Sequence, residues 1–89
     1  MVKAKNEITI NRMDTYIHEC RLKMGESIRQ IREKKGYNQE QLAERMHISR
    51  STISKIESGK FNCSIDYLSK FSVALGFNIL LEEANNEEI

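Results

Sequence analysis

The stretch that decides this chain runs Asn38-Gln39-Glu40-Gln41-Leu42-Ala43-Glu44-Arg45-Met46-His47-Ile48-Ser49-Arg50-Ser51-Thr52-Ile53-Ser54-Lys55-Ile56-Glu57-Ser58-Gly59-Lys60. Asn38 and Ser49 are residue types whose side chains accept a hydrogen bond from the first free N–H groups of a helix, and each precedes a run with helical spacing. Leu42, Ala43 and Met46 form the inner face of one short helix, Ile53 and Ile56 that of a second, and about three residues join them. Ala43 has almost no side chain, so the two helices can cross closely. Leu42, Met46, Ile48, Ile53 and Ile56 fill the space beneath the crossing.

Working outward, Ser64 caps a further helix with Ile65, Leu68, Phe71, Ala74 and Leu75 turned inward, and Gly76 stops it. Upstream, Met13, Tyr16, Ile17, Cys20 and Met24 make one helical stripe with Asn11 as its cap. Gly25 interrupts the stripe, and a second one passes through Ile28 and Ile31 to Gly36. The spacing leaves open whether Asn11–Lys35 is one bent helix or two. Residues 1–10 read as a polar start ending in extended chain at Ile8-Thr9-Ile10, and Phe77 to Glu82 as a short β-strand before the acidic Ala84–Ile89. The expected architecture is all-α, a bundle of four to five helices with a short C-terminal strand. Its parts are an amino-terminal extension with a helix (1–23), the central domain (24–76), and a strand with an acidic tail (77–89).

Composition agrees with one small helical domain. The 89 residues include 22 Leu, Ile, Val and Phe, no Pro, no Trp and four Gly, enough apolar residues for a core and few helix breakers. No apolar run, Ile79-Leu80-Leu81 included, is long enough for a membrane span. Two cysteines, Cys20 and Cys63, cannot build a disulfide framework and point to a reducing, cytoplasmic setting. Net charge is +1, unpromising at first sight for a nucleic-acid binder, but it is unevenly spread. Residues 1–37 carry nine basic against five acidic side chains, and residues 61–89 one against five. One cationic face can therefore sit on a nearly neutral molecule.

Two short helices joined in this way follow the helix-turn-helix plan. The segments 38–43 and 48–60, with Ala74-Leu75-Gly76 beyond them, resemble the λ-repressor-like, Xre-type family over about residues 24–76. That resemblance implies a sequence-specific DNA-binding transcriptional regulator, a repressor acting as a homodimer on an operator with two half-sites. One departure is visible: the family's turn usually has Gly where this chain has His47. Read at about 100° per residue, the second helix opposes Ser51, Ser54, Lys55 and Ser58 to its isoleucines. Arg50, Ser51 and Lys55 are then expected to read bases in the major groove, with Thr52 and Ser54 in support, because long cations donate to guanine O6 and N7 while small hydroxyls allow close approach. Asn38, Gln39, Ser49, Lys60 and Asn62 are the candidates for phosphate, through helix N-termini and rim side chains. In related domains the Gln at this place bonds the DNA backbone, and Gln39 matches it. Related domains also pair an arginine with a glutamate at the positions of Arg32 and Glu57, each at the edge of its helix's apolar stripe; a half-buried tie between helices is expected.

His18, Cys20, His47 and Cys63 fit no zinc spacing, and neither histidine has the acid and nucleophile of a catalytic triad. No metal, cofactor or enzymatic activity is expected. Phe61, Tyr67 and Phe71 read as core, and Tyr37 as packing beside the helix junction. A strand over Phe77–Glu82 would need a partner: Ile8–Ile10, or the same strand of a second copy, which makes a two-fold dimer. In layout this resembles the Hip-type antitoxins, and implies regulation of a toxin–antitoxin operon, or a module that chiefly neutralises a bound toxin protein. A tail packed on its own core is the plainer reading.

Overall fold

A computed structural model of the chain describes residues 2–84. It has four helices: α1 (Val2–Lys34), α2 (Gln39–Met46), α3 (Arg50–Glu57) and α4 (Ile65–Leu75). α3 packs against α1 and α2, and α4 closes the bundle over α2 and α1. Each helix contributes to one core: Ile28 from α1, Leu42 and Ala43 from α2, Ile53 and Ile56 from α3, Phe71 and Leu75 from α4. Around it pack Tyr37, Met46, Ile48, Phe61, Tyr67 and Leu68. The edge-on pair Phe61 and Tyr67, 6.0 Å between ring centres, belongs to this layer and is no stacking platform.

The short helices begin where the caps require. Asn38 and Gln41 form a reciprocal capping box: Gln41 N donates to Asn38 Oδ1 at 2.7 Å and Asn38 N to Gln41 Oε1 at 2.8 Å. Ser49 Oγ accepts from Thr52 N, and Ser64 Oγ from Tyr67 N, both at 3.1 Å. Arg45 ties α2 to α4 by donating Nε to Ala74 O at 3.0 Å, with its guanidinium over the Tyr37 ring.

His47 closes α2 in the left-handed region, φ 56° and ψ 44°, donating its N–H to Ala43 O and Glu44 O. The turn needs the conformation that glycine adopts without steric cost. Replacing His47 by Gly is expected to stabilise the domain by about 0.5–1 kcal/mol, the relief of the Cβ clash less the entropy of a freer unfolded chain. Thermal denaturation followed by circular dichroism would read this as a rise of several degrees in Tm.

Four expectations need correction. Ile65, expected to turn inward on α4, stands in the first turn of that helix and is 65% exposed. α1 is a single helix that begins at Val2, so Ile8–Ile10 is helical rather than extended, Asn11 lies inside the helix instead of capping it, and Gly25 does not interrupt it. Cys20, on an apolar stripe, is exposed. No strand exists among the described residues: 77–84 is irregular, with Leu80 81% and Leu81 96% exposed. A strand holds only with a ladder partner, and the internal candidate is coiled into α1. The strand-paired dimer accordingly has no strand to pair. The acidic tail expected over 84–89 lies, Ala84 apart, outside the described residues.

At about 1.5 Å per residue, α1 accounts for the long dimension of the molecule, 52 × 27 × 19 Å. Only its C-terminal part, from Leu22 onward, lies on the bundle. There it comes so close to α3 that a Cβ on Gly25 would stand 2.4 Å from Ile56 O and 2.6 Å from Glu57 O. Gly59, at φ 77°, meets Leu22 in the same way.

Candidate nucleic-acid interface

α3 is held from below and from its end. Ile53 and Ile56 are fully buried, which fixes the rotation of the helix about its axis. At the C-terminal end, Arg32 Nε donates to Glu57 Oε2 at 2.6 Å and Nη2 to Glu57 Oε1 at 3.0 Å, a fork-to-fork pair. The pair is buried rather than half-buried. Arg32 Nη1 also donates to Tyr37 O at 2.7 Å, and Gln39 Nε2 to Glu57 Oε1 at 3.1 Å. The hydrogen bond to Glu57 pushes the guanidinium up from its ordinary pKa, against the opposing effect of burial. One carboxylate thus joins α1, α2 and α3. The arginine–glutamate tie could be anticipated from angles on the two helices. The contributions of Gln39 and Tyr37 O could not, because neither position has a periodic signal.

With the isoleucines down, Arg50, Ser51, Ser54 and Lys55 are exposed on the outer face. They line one shallow groove together with Ser58 and Lys60. Arg50, Lys55 and Lys60 form no ion pair with a carboxylate among the described residues, so three cations face solvent around a floor of serine hydroxyls. Thr52 stands apart, half-buried, with its hydroxyl 2.9 Å from Ser49 Oγ. Asn38, Ser49 and Asn62 are exposed outside the groove, and Gln39 is half-buried with its amide nitrogen turned to Glu57. Ser58 is the groove residue not named among the sites expected from sequence, although its angle on α3 already put it on the outer face.

No cluster of three or more His, Cys, Asp or Glu that could hold a metal occurs among the described residues. Burial pushes the Cys63 thiol above its ordinary pKa. No helix among them is long and apolar enough to cross a membrane.

Two short helices crossing at a tight turn, the second anchored by buried isoleucines and turning a cationic face outward, define a helix-turn-helix domain. A helix-turn-helix family model matches residues 28–80, and the chain belongs to that family. It is 46% identical over 60 residues to the control protein C.BamHI of Bacillus amyloliquefaciens, covering 66% of this chain and 74% of that protein. It is 37% identical over 68 residues to the HTH-type transcriptional regulator SinR of Bacillus subtilis, covering 73% of this chain but only 61% of SinR. Among solved structures, the restriction-modification controller protein C.AhdI of Aeromonas hydrophila superimposes with a TM-score of 0.65 at 31% identity, over 68% of this chain and 88% of that one.

Proposed function

We propose that this chain is a sequence-specific DNA-binding transcriptional regulator that represses by occupying an operator with two half-sites as a homodimer. The observation that carries the reading is the outer face of α3: Arg50, Ser51, Ser54 and Lys55 share one groove free of carboxylates, on a helix whose rotation is fixed by Ile53 and Ile56. A helix so presented fits the major groove, where arginine and lysine select guanine and short hydroxyls select by close approach. Arg50, Ser51 and Lys55 read bases, with Ser54 and Thr52 in support. Lys60, Asn62, Ser49 and the N-terminus of α2 at Asn38 and Gln39 hold phosphate, Gln39 through its main-chain N–H because its side chain is engaged with Glu57. In a two-fold dimer the two α3 helices stand about 34 Å apart, one turn of duplex. The names of C.BamHI, SinR and C.AhdI, control and regulator proteins, support regulation as the purpose of binding. The toxin-neutralising alternative drew on a C-terminal strand that is absent among the described residues, and on the added amino-terminal helix, whose stripe of Met13, Tyr16, Ile17 and Cys20 is exposed; the names of the relatives favour the regulator reading over it.

The test uses duplexes selected from random sequence, followed by anisotropy titrations on single-base variants. Arg50→Ala is expected to lose about 1–3 kcal/mol of discrimination at one base position, whereas Lys60→Ala weakens all sequences alike and lowers the salt slope by about 1. A uniform loss for Arg50→Ala would overturn the assignment of base reading.

A further inference from the structure

Beyond the bundle, α1 has an apolar stripe that its own chain leaves uncovered. Met13 is 50%, Tyr16 47% and Ile17 44% exposed, with Cys20 beside them. A helix that projects without packing is marginal in water, since most helical stability in proteins comes from burying one face. The register of the stripe is specific. Met13, Ile17, Cys20, Met24, Ser27 and Ile31 follow alternating steps of four and three, the seam of a two-stranded coiled coil. Beside the seam, on one flank, stand Asp14 and Arg21, seven residues apart and of opposite sign.

We propose that residues 13–24 of α1 pair antiparallel with the same segment of a second copy. In that arrangement Ile17 layers on the partner's Cys20 and Met13 on the partner's Met24. The flanking positions then place Asp14 beside the partner's Arg21, twice by symmetry. On the other flank Tyr16 meets the partner's Lys23. The charges favour this register over the slide of one heptad that sets Arg21 against Arg21, like charges that oppose pairing. A parallel pair offers no such complementarity and would force both bundles to one end of the rod, where Ile28 is already buried in its own core. The antiparallel pair instead puts the bundles at opposite ends. Each partner helix continues toward an open groove lined by Met24, Ser27, Ile31, Phe77, Ile79 and Leu80, which prolongs the seam onto the bundle.

This gives the homodimer proposed above its interface, and sedimentation equilibrium of the full chain without DNA tests it separately from DNA binding. Ile17→Glu sets a charge in the seam at an already exposed position, so the bundle still folds. It is expected to raise the dimer dissociation constant by about tenfold or more. Asp14→Arg and Arg21→Asp each weaken the dimer, and the double variant recovers most of the loss because the exchanged charges again face each other across the two-fold axis. A monomeric parent chain, an Ile17→Glu variant that dimerises as well as the parent, or a double variant no better than its two single losses combined would each overturn the proposal. The last of these would overturn it even if the chain dimerises by another surface.

Discussion

Gly25→Ala is expected to destabilise the domain by about 3 kcal/mol, with the sign opposite to helix propensity. In an exposed helix interior, Ala is better than Gly by roughly 1 kcal/mol, so a position chosen for helicity alone would gain from the change. Here the new methyl group would stand 2.4 Å from Ile56 O, 2.6 Å from Glu57 O and 2.8 Å from Glu57 C. These are main-chain atoms at the end of α3, with no flexible side chain to swing aside. Either α1 and α3 separate, opening the core around Ile28 and Ile56, or the last turn of α3 gives up its hydrogen bonds. Overpacking against backbone costs about 1–3 kcal/mol and occasionally more, and the lost contact adds to it. Urea denaturation would measure the effect as a fall in the midpoint at unchanged slope. A gain in stability would mean that the close approach is not a constraint.

Glu57→Ala should be at least as damaging, about 3–5 kcal/mol, because it strands a buried cation. Arg32 would lose both carboxylate bonds while remaining charged, keeping only its bond to Tyr37 O, and the Gln39 amide would lose its acceptor. An ion pair at the surface would cost about 0–1 kcal/mol, so the size of the loss separates the two cases. Arg32→Met combined with Glu57→Leu should recover a large part of it, since the damage comes from an unpaired charge rather than from the absence of a bridge. Chemical denaturation of the two single variants and the double one completes the cycle. Additive losses would show that the pair does not act as a unit.

α2, α3 and α4 were readable in the sequence because each announces itself twice, by a capping side chain and by apolar residues at helical spacing. Asn38, Ser49 and Ser64 all cap as expected. Gly76 stops α4 in the left-handed conformation, and His47 takes that conformation where a non-glycine residue had to. The outer face of α3 followed from the two isoleucines alone, since fixing one side of a helix fixes the other. α1 was misread where local rules and tertiary demands diverge. Gly25 looks like a breaker from propensity, and its reason is instead the carbonyl of Ile56 on another helix, which no local window contains. Residues 2–10 have no strong helical stripe of their own, and they join α1 by propagation from the helix behind them. At 77–82 the apolar residues imitate a strand, but β-structure is a property of pairs, and a single sequence does not say whether a pair exists.

The groove residues of α3 and the atoms that orient α3 are separate sets. Arg50, Ser51, Ser54 and Lys55 stand in solvent, while Ile53, Ile56 and Glu57 anchor the helix from the far side. Substitutions among the former are therefore expected to leave melting behaviour nearly untouched. Under the base-reading role proposed for α3, drift at those four positions would recode which site is addressed without renegotiating the fold, and an engineer would exchange the same four side chains as an interchangeable cassette.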